Sequence, residues 1–215
     1  SVHTLRGESE FLRSITSTAE LAFGLMLNVM RNIIPSAVSV QSGRFSASEY
    51  RGYELRGKTV GVVGCGRLGT MFANFCKAFG MKVMGYDLYE DVVDEGVFVR
   101  ARTLGELLRT SDIVSVHVPL NQTTRGLFDE ETFQMMKKGS FFINTSRGEI
   151  VNELSLVRAL QSGRMAGACV DVLAEESEFN LERPNPLWAY SKKCSNLVIT
   201  PHIGGATFEG VAKAD

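Results

Sequence analysis

The stretch that decides the fold reads Val60-Gly61-Val62-Val63-Gly64-Cys65-Gly66-Arg67-Leu68-Gly69. A short run rich in β-branched residues leads directly into three glycines with the spacing Gly-x-Gly-x-x-Gly. Apolar residues then recur every three or four positions, which predicts an amphipathic helix; they are Leu68, Met71, Phe72, Phe75 and Phe79. A strand, a glycine turn and a helix in this order form the fingerprint of a dinucleotide-binding fold.

Each of the three glycines has its own role in that fingerprint. Gly64 permits the tight turn, Gly66 lets the backbone approach a pyrophosphate, and Gly69 lets the helix pack closely on the strand. The unpaired N–H groups at the start of the helix favour the phosphates. The sequence therefore predicts a site for the pyrophosphate of a dinucleotide at residues 64–69.

An acidic residue follows the next predicted strand, which covers residues 82–86. This residue, Asp87, lies about 20 positions after the first glycine, where a carboxylate can bind the ribose of NAD. The alternative is that Asp87 is only a turn residue at a strand end. The next residues are Leu88, Tyr89 and Glu90, with no Arg or Lys to meet a 2′-phosphate. We therefore predict NAD, and not NADP, as the cofactor.

Composition excludes several classes of partner. The 215 residues carry a net charge of −1, which does not favour nucleic acid or anionic membranes. We find no apolar run long enough to span a bilayer and no signal-peptide pattern. The cysteines lack the spacing of a metal site, so we predict reduced and mostly buried thiols in a cytoplasmic protein without metal; they are Cys65, Cys76, Cys169 and Cys194. Cys65 occupies a variable position of the glycine loop, which argues against a nucleophile.

A helix is predicted before the glycine stretch. Residues 17–20 have the pattern of a capping box, with Ser17 as the N-cap and Glu20 three residues later. Pro35 is expected to kink or end this helix. Its apolar stripe is either part of the core or a subunit contact; the stripe comprises Leu21, Leu25, Met26, Val29 and Ile33.

Strands and helices alternate through the rest of the chain. This alternation predicts an α/β fold with a doubly wound parallel sheet, a Rossmann fold flanked by helices. The further strands are predicted at residues 113–118, 140–144, 166–172 and 197–200, and helices at 104–108, 128–136 and 154–160. Ligands of such sheets bind outside the carboxyl ends of the strands.

Polar residues follow those strand ends, and three of them have the chemistry of a reduction site. Histidine is the side chain that gives and takes a proton most readily near neutral pH, which suits His202 to acid/base chemistry. Glu176 can orient it, and Arg147 offers a planar fork to a carboxylate. The alternatives are a structural salt bridge at Arg147, a solvated acid at Glu176 and a packed histidine at 202. His117 lies inside a predicted strand, and we interpret it as a core residue.

Several longer motifs resemble the NAD-dependent D-isomer-specific 2-hydroxyacid dehydrogenases, over essentially the whole chain. They are Gly57-Lys58-Thr59-Val60-Gly61-Val62-Val63-Gly64-x-Gly66-Arg67-Leu68-Gly69, His117-Val118-Pro119-Leu120, Asn144-Thr145-Ser146-Arg147-Gly148, Gly167-Ala168-Cys169-Val170-Asp171-Val172 and Thr200-Pro201-His202-Ile203-Gly204-Gly205. The resemblance implies hydride transfer between NAD and C2 of a small D-2-hydroxy acid of the 3-phosphoglycerate, glycerate or glyoxylate class.

The resemblance also implies a role for each site residue. Arg147 would bind the substrate carboxylate, and Glu176 would support His202 as the acid/base. The implied cofactor-binding residues are Gly64, Gly66, Arg67, Leu68, Gly69, Asp87, Pro119, Thr124, Thr145, Ser146, Arg147, Asp171, His202, Gly204 and Gly205. Ser177 replaces the proline that usually follows the catalytic glutamate, so Glu175 remains an alternative partner of His202.

The family pattern also includes a second, substrate-binding domain that this chain does not contain. We expect residues 1–17 to lead from that domain, residues 18–205 to form the dinucleotide-binding domain, and residues 206–215 to begin a returning helix. The opening helix matches a dimer-forming segment, so a homodimer is expected. We predict that these 215 residues alone bind NADH without turnover. The alternatives are an NAD-sensing co-repressor-like protein and a phosphite-type dehydrogenase.

Overall fold

The computed structural model describes residues 15–179 and 184–210, whose centre is an open parallel sheet. The described residues contain seven strands, and each strand pairs in parallel with its neighbours. The strands are β1 (Thr59–Val63), β2 (Lys82–Tyr86), β3 (Val99–Arg100), β4 (Ile113–Val116), β5 (Ser140–Asn144), β6 (Met165–Val170) and β7 (Leu197–Ile199). The predicted doubly wound sheet is therefore confirmed.

Helices cover both faces of this sheet. They are α1 (Ser17–Arg31), α2 (Ile33–Gln41), α3 (Arg67–Ala78), α4 (Leu104–Thr110), α5 (Glu130–Met135), α6 (Glu153–Gln161) and α7 (Pro186–Ser191). Helices α1 and α3 pack on one face, and α4 to α7 pack on the other. Alternate strand residues supply the two cores, because successive side chains point to opposite faces of a strand. Val62 belongs to the first core and Val63 to the second.

The strand order fixes where a ligand can bind. It runs β3-β2-β1-β4-β5-β6-β7, so the chain reverses its direction across the sheet between β1 and β4. These two strands pair in the register Val60↔Ile113 to Val63↔Val116. The crevice outside their carboxyl ends is the position where doubly wound sheets bind nucleotides.

The predicted capping box at the start of α1 is wrong. The N-cap is Thr16, whose carbonyl accepts the Glu20 N–H at 3.0 Å and whose hydroxyl donates to Glu20 Oε1 at 2.5 Å. Ser17 lies inside the first turn, and its buried Oγ has no hydrogen-bond partner among the described residues. Glu20 thus reaches back four residues to Thr16, so the helix starts one residue earlier than a Ser17 cap would place it.

The helix ends before Pro35, at a different residue from the predicted one. Asn32 takes a left-handed conformation with φ of 53°, which Asn tolerates better than most residues. Pro35 lies in the first turn of α2, where its missing N–H costs no helical bond. The break bends the two helices by 64°. The stripe residues Leu25, Met26 and Val29 are buried and belong to the core, whereas Ile33 at the end of the stripe is 50% exposed.

The other differences concern element ends and short elements. The strand predicted at 113–118 ends at Val116, and the one predicted at 166–172 ends at Val170. Helices α2 and α7 and the two-residue strand β3 were not predicted. Most of the predicted leading segment, and the last five residues of the returning one, lie outside the described residues. No single described helix is long and apolar enough to cross a membrane; α1 and α2 together meet that criterion by length and composition only.

Candidate active site

A cleft of about 770 Å³ opens at the carboxyl edge of the sheet. It extends from the start of α3, past the ends of β4 and β5, to the loop after β7. The cleft is lined by Thr18, Arg67, Leu68, His117, Val118, Pro119, Leu120, Thr145, Ser146, Arg147, Asp171, His202, Gly204 and Gly205. Most of the site residues inferred from sequence therefore share one cavity, although they come from distant parts of the chain.

The three glycines meet three different constraints. Gly64 has a φ of +98°, and a Cβ there would lie 2.6 Å from the backbone of His117. A Cβ on Gly69 would lie 2.0 Å from the carbonyl oxygen of Gly64, so the helix packs directly against the turn. At Gly66, no described atom lies within 4 Å of the Cβ position. The first two glycines are required by packing, whereas Gly66 faces open space.

The start of α3 is suited to an anion. Within the described residues, no side chain caps this helix at Gly66, so its first N–H groups remain available. Arg67, the first helical residue, lines the cleft and donates from its guanidinium to the Ile15 carbonyl at 2.5 Å. Partial burial lowers the pKa of Arg67 from its ordinary value. The helix dipole and this cation both favour a phosphate here.

Asp87 is tied to the glycine turn. Its Oδ2 accepts the Cys65 N–H at 2.8 Å, and its Oδ1 accepts the Tyr89 N–H at 3.1 Å. Asp87 thus acts as a turn residue at the strand end, which was the alternative to ribose binding. Its carboxylate still has lone pairs that can accept hydrogen bonds from a ribose. Burial, and then the charge of Asp87, raise the pKa of the Cys65 thiol to about 12. This thiol therefore stays protonated at neutral pH and is no nucleophile.

The turn after β5 carries Arg147 into the cleft. Buried Asn144 organises this turn, because its side chain donates to the Arg147 carbonyl at 2.9 Å and accepts the Ser146 N–H at 3.0 Å. The Ser146 hydroxyl donates to the Val116 carbonyl, which ties the turn to β4. The guanidinium of Arg147 is exposed and forms no ion pair with any described carboxylate. The structure therefore does not show the salt bridge considered as an alternative.

His202 lines the cleft, and its partner Glu176 lines only an adjoining cavity. Nδ1 of His202 lies 2.5 Å from Oε1 of Glu176, and the two side chains are 43% and 41% exposed. The geometry thus selects Glu176, and not Glu175, as the partner. Both loops are strained, because His202 and Glu175 have φ values of 54° and 53°, which are uncommon for residues other than glycine.

Asp171 holds the loop that carries His202. Its carboxylate is buried and accepts the Thr200 hydroxyl at 2.6 Å, the Ile203 N–H at 2.9 Å and the Gly204 N–H at 2.8 Å. The Gly204 carbonyl in turn accepts the hydroxyl of Thr18 in α1 at 3.0 Å. Asp171 therefore lines the cleft mainly as an anchor for the loop.

The loop after β4 gives mixed results for the sequence predictions. Pro119 lines the cleft. Thr124 does not, because its hydroxyl donates to the Pro119 carbonyl at 2.6 Å and closes a local turn with Asn121. His117 follows β4 and is half-buried in the cleft wall, with Nε2 2.8 Å from the Ser115 hydroxyl. Burial lowers the pKa of His117 to about 3, so its ring is neutral at physiological pH.

Sequence reasoning did not assign His117, Val118 and Leu120 to the cleft that they line, and it missed Asn144 and Thr18, which shape the cleft through hydrogen bonds. Asn144 ends a wholly buried strand, and a buried polar residue at such a position is a signal that it has hydrogen bonds to make. Thr18 comes from α1, far from the glycine stretch, and nothing in its local sequence marks it.

A second, more apolar cavity of about 590 Å³ adjoins the His202–Glu176 pair; Phe179 and Trp188 contribute to its wall.

The comparison with known proteins places this geometry in a family. The model of the D-isomer specific 2-hydroxyacid dehydrogenase NAD-binding domain matches residues 23–204. The chain belongs to this family. It is thus an NAD-binding domain, and the uncapped helix, the open space at Gly66 and the lone pairs of Asp87 fit NAD.

Several members of this 2-hydroxyacid dehydrogenase family are similar over most of the chain. Glyoxylate reductase of Thermococcus litoralis is 39% identical over 201 residues, which is 90% of this chain and 58% of the relative. D-3-phosphoglycerate dehydrogenase of Archaeoglobus fulgidus is 40% identical over 194 residues, 90% of this chain and 36% of the relative. The chain therefore spans less than two thirds of the length of these relatives.

Solved structures of the 2-hydroxyacid dehydrogenase family have the same fold. D-lactate dehydrogenase from Aquifex aeolicus, in complex with NAD and lactic acid, matches with a TM-score of 0.84 and 34% identity. The match covers 94% of this chain and 63% of that one.

All four cysteines of this chain lie in its described part and are free thiols, three of them buried, as predicted.

Proposed function

We propose that the protein transfers a hydride between NAD(H) and C2 of a small D-2-hydroxy acid or 2-keto acid. The observation that carries this proposal is the His202–Glu176 pair, with 2.5 Å between Nδ1 and Oε1, at a cleft that also receives Arg147. The Arg147 guanidinium donates to the Ser146 carbonyl and pairs with no described carboxylate. A proton carrier, its carboxylate partner and a guanidinium that can bind a carboxylate are the groups that the reduction of a 2-keto acid requires of a protein.

His202 is the proposed general acid and base. Bound NADH supplies the hydride when a keto acid is reduced. Imidazolium at position 202 gives its proton to the carbonyl oxygen, and in the oxidation direction the neutral ring takes that proton back. Because Glu176 engages Nδ1, the nitrogen left for the substrate is Nε2. The carboxylate also stabilises the positive charge of the protonated ring.

Arg147 is the proposed carboxylate binder. Its guanidinium presents two parallel N–H donors that match the two oxygens of a carboxylate. The Asn144 hydrogen bonds fix the backbone from which it extends, so the guanidinium stays near the end of β5. A substrate held there by its carboxylate would place its neighbouring C2 atom within the same cleft as His202.

The proposed substrates follow the chemistry of the site and the names of the relatives. They are glyoxylate, D-glycerate and D-3-phosphoglycerate, each of which has a carboxylate next to the reacting carbon. Phosphite, the substrate of the alternative dehydrogenase reading, has no C2 atom for the hydride. We therefore propose a carboxylate as the substrate. Phosphite is included in the test as a competing substrate.

The test is an assay of the natural full-length protein with NAD(H) and each of these four compounds. We expect turnover of at least one of the carboxylates, and a loss in kcat of roughly 10²- to 10⁴-fold in His202→Ala with NADH binding retained. Turnover of none of them, or biological function that is unchanged in His202→Ala, would favour an NAD-sensing protein. For the 215-residue chain, we propose NADH binding without turnover.

We also propose that the protein is a homodimer through α2. This helix exposes several apolar side chains on a short surface, among them Ile33, Val38 and Val40, which are 50%, 57% and 51% exposed. Phe45, in the turn that follows, is 91% exposed. Several exposed apolar residues on one short helix mark an interaction surface, and a symmetric pair is the commonest way of covering it.

A further inference from the structure

One buried carboxylate outside the cleft is linked to the loop that carries Glu176. Glu153, the first residue of α6, is 9% exposed and does not line the cleft of the active site. Its Oε1 accepts the Ala174 N–H at 2.8 Å, and its Oε2 accepts the side-chain amide of Asn185 at 2.6 Å. A buried carboxylate with both oxygens hydrogen-bonded acts as an anchor, because breaking either bond lowers the free energy of unfolding of the protein.

The two partners of Glu153 lie at the two ends of one connection. Ala174 is two residues before Glu176. Asn185 is the N-cap of α7, and its Oδ1 accepts the Leu187 N–H at 2.9 Å and the Trp188 N–H at 3.3 Å. The carboxylate of Glu153, at the start of α6, therefore binds two points: Ala174, just before the Glu176 turn, and Asn185, at the start of α7.

The hydrogen bond that closes the turn at Glu176 does not by itself determine where Glu176 lies relative to His202. The turn at Glu176 is closed by the Glu178 N–H on the Glu175 carbonyl at 2.8 Å, a bond that would survive displacement of the whole turn. Glu175 has a φ of 53°, a conformation that persists only when the surroundings enforce it. Contacts on both sides of the turn hold it: Gly148 packs against the backbone of residues 173 and 174, Glu153 binds the Ala174 N–H, and the Phe179 ring packs edge-to-face on Trp188.

Burial raises the pKa of Glu153, and its two hydrogen bonds act in the opposite direction. The arrangement needs two acceptors on this side chain. In Glu153→Gln, the carboxamide would keep one acceptor and turn an NH₂ group towards the NH₂ group of Asn185. Asn185 cannot reverse its amide without losing the α7 cap, so the bond at that end would be lost.

We propose that Glu153 is a positioning residue that holds Glu176 within hydrogen-bond distance of His202. This proposal rests on the proposed acid/base role of the His202–Glu176 pair. Glu153 touches neither the cofactor cleft nor the reacting atoms, and it acts through both of its partners, the backbone at Ala174 and the side chain of Asn185. Ala174, Asn185 and the start of α6 are thus joined by one carboxylate, which supports the segment that carries Glu176.

The test combines kinetics with a double-mutant cycle in the full-length protein. We expect Glu153→Gln to lower kcat roughly 10- to 100-fold, the size of effect that a displaced catalytic group produces, with an unchanged KM for NADH. In a Glu176→Gln background the same change should have no further effect, and its pH–rate profile should match that of Glu176→Gln alone. Asp112→Asn is the matched control: this acid accepts the Thr59 N–H and the Lys137 ammonium at the opposite edge of the sheet.

A second variant protects the test if Glu153→Gln does not fold. Asn185→Asp keeps the acceptor for the α7 cap and removes the donor to Glu153, so the same kinetic result is expected. The proposal is overturned if both variants retain the wild-type kcat, if Glu153→Gln lowers kcat equally in the Glu176→Gln background, or if Asp112→Asn gives the same kinetic change.

A spectroscopic readout separates this proposal from the proposed function. If the full-length protein reduces none of the tested acids, the proposed function fails, but the geometry can still be measured. In the 215-residue chain labelled with ¹⁵N-histidine, the Nδ1 resonance of His202 reports its hydrogen bond to Glu176. Glu153→Gln should shift this resonance as Glu176→Gln does, and Asp112→Asn should not. An unchanged resonance in Glu153→Gln would overturn the positioning role.

Discussion

Asp171 fixes the backbone of His202: the His202 N–H donates to the Asp171 carbonyl at 2.8 Å, while the Asp171 carboxylate binds the two following N–H groups. His202 has a φ of 54°, so the chain reverses sharply at the residue that we assign as the acid/base. The strained conformation is maintained because a single buried acid satisfies the loop on both sides of it.

Replacing this acid by its amide should loosen the loop. In Asp171→Asn, an NH₂ group would face the Gly204 N–H, which leaves a buried donor unsatisfied at a cost of about 1–3 kcal/mol. We expect that decrease in the free energy of unfolding in urea, together with a lower kcat in the full-length protein. Asp129→Ala removes the side-chain cap of α5 instead, and it should cost stability without lowering kcat. Equal kcat losses in the two variants would argue against an anchoring role for Asp171.

His117 should make stability depend on pH. Its pKa is about 3 in the folded protein, against about 6.5 when unfolded. The unfolded state therefore binds the proton first, and the stability associated with the neutral ring is lost as pH falls from about 6.5 towards 3. Between pH 7 and pH 5 the loss should be roughly 2 kcal/mol.

The measurement for His117 is urea unfolding across this pH range. His117→Gln should have a flatter dependence than the wild type, because the titrating group is absent. Ser115→Ala is the control, since it removes the hydrogen bond to the ring but keeps the ring itself. If His117→Gln and the wild type lose stability in parallel, another group is responsible for the slope.

Asp87 should set the preference for NAD over NADP. A 2′-phosphate would be repelled by its carboxylate, so the 215-residue chain should bind NADH at least about tenfold more tightly than NADPH. Asp87→Asn should reduce this difference, while Asp91→Asn, in the exposed segment nearby, should leave it unchanged. Isothermal titration calorimetry with both dinucleotides measures the ratio. Comparable affinities in the wild type would contradict the prediction.

Two glycine substitutions should separate packing from cofactor binding. Gly69→Ala would place a methyl group 2.0 Å from the Gly64 carbonyl oxygen, so we expect a large loss of thermal stability. Gly66→Ala meets no described atom within 4 Å and has a permitted φ of −68°, so its stability should be close to that of the wild type. Its NADH affinity should nevertheless fall at least about tenfold, because the methyl would occupy the approach of the pyrophosphate. Unchanged affinity would refute this location for the phosphates.

The proposed dimer can be tested on α2. A charge placed on its apolar surface should be left without a partner at a subunit contact, so Val38→Glu should convert a dimer into a monomer. Analytical ultracentrifugation of the wild type and the variant gives the result. Leu154→Glu, at an exposed position of α6, is the control and should not change the mass. A monomeric wild type would rule out the proposal.

The sequence predicted those parts of the fold that depend on short-range pattern. The β-branched run, the glycine spacing and the helical repeat between Val60 and Phe79 are local, and each matches the structure. The grouping of Arg147 and His202 also followed from a local rule, because residues that end parallel strands meet at one edge. Their distances and partners were outside the reach of that rule.

The unpredicted features depend on contacts between distant residues. Thr18 reaches the cleft because α1 packs beside the loop after β7, and Glu153 bonds to residues 174 and 185. No periodicity reports such pairings. The sequence predicts the break at Pro35, because proline is the stronger signal. The helix ends instead at Asn32, whose left-handed conformation is possible for asparagine but is not required by the local sequence.

The hydrogen bond between Thr18 and Gly204 has a topological consequence. It brings together two residues that are 186 positions apart, near either end of the described chain. A circular permutant that joins these neighbourhoods by a short linker, and opens the chain at the exposed turn around Thr123, would preserve every strand pairing. The two ends of the described chain thus lie close together, so the same fold should tolerate termini at a different position.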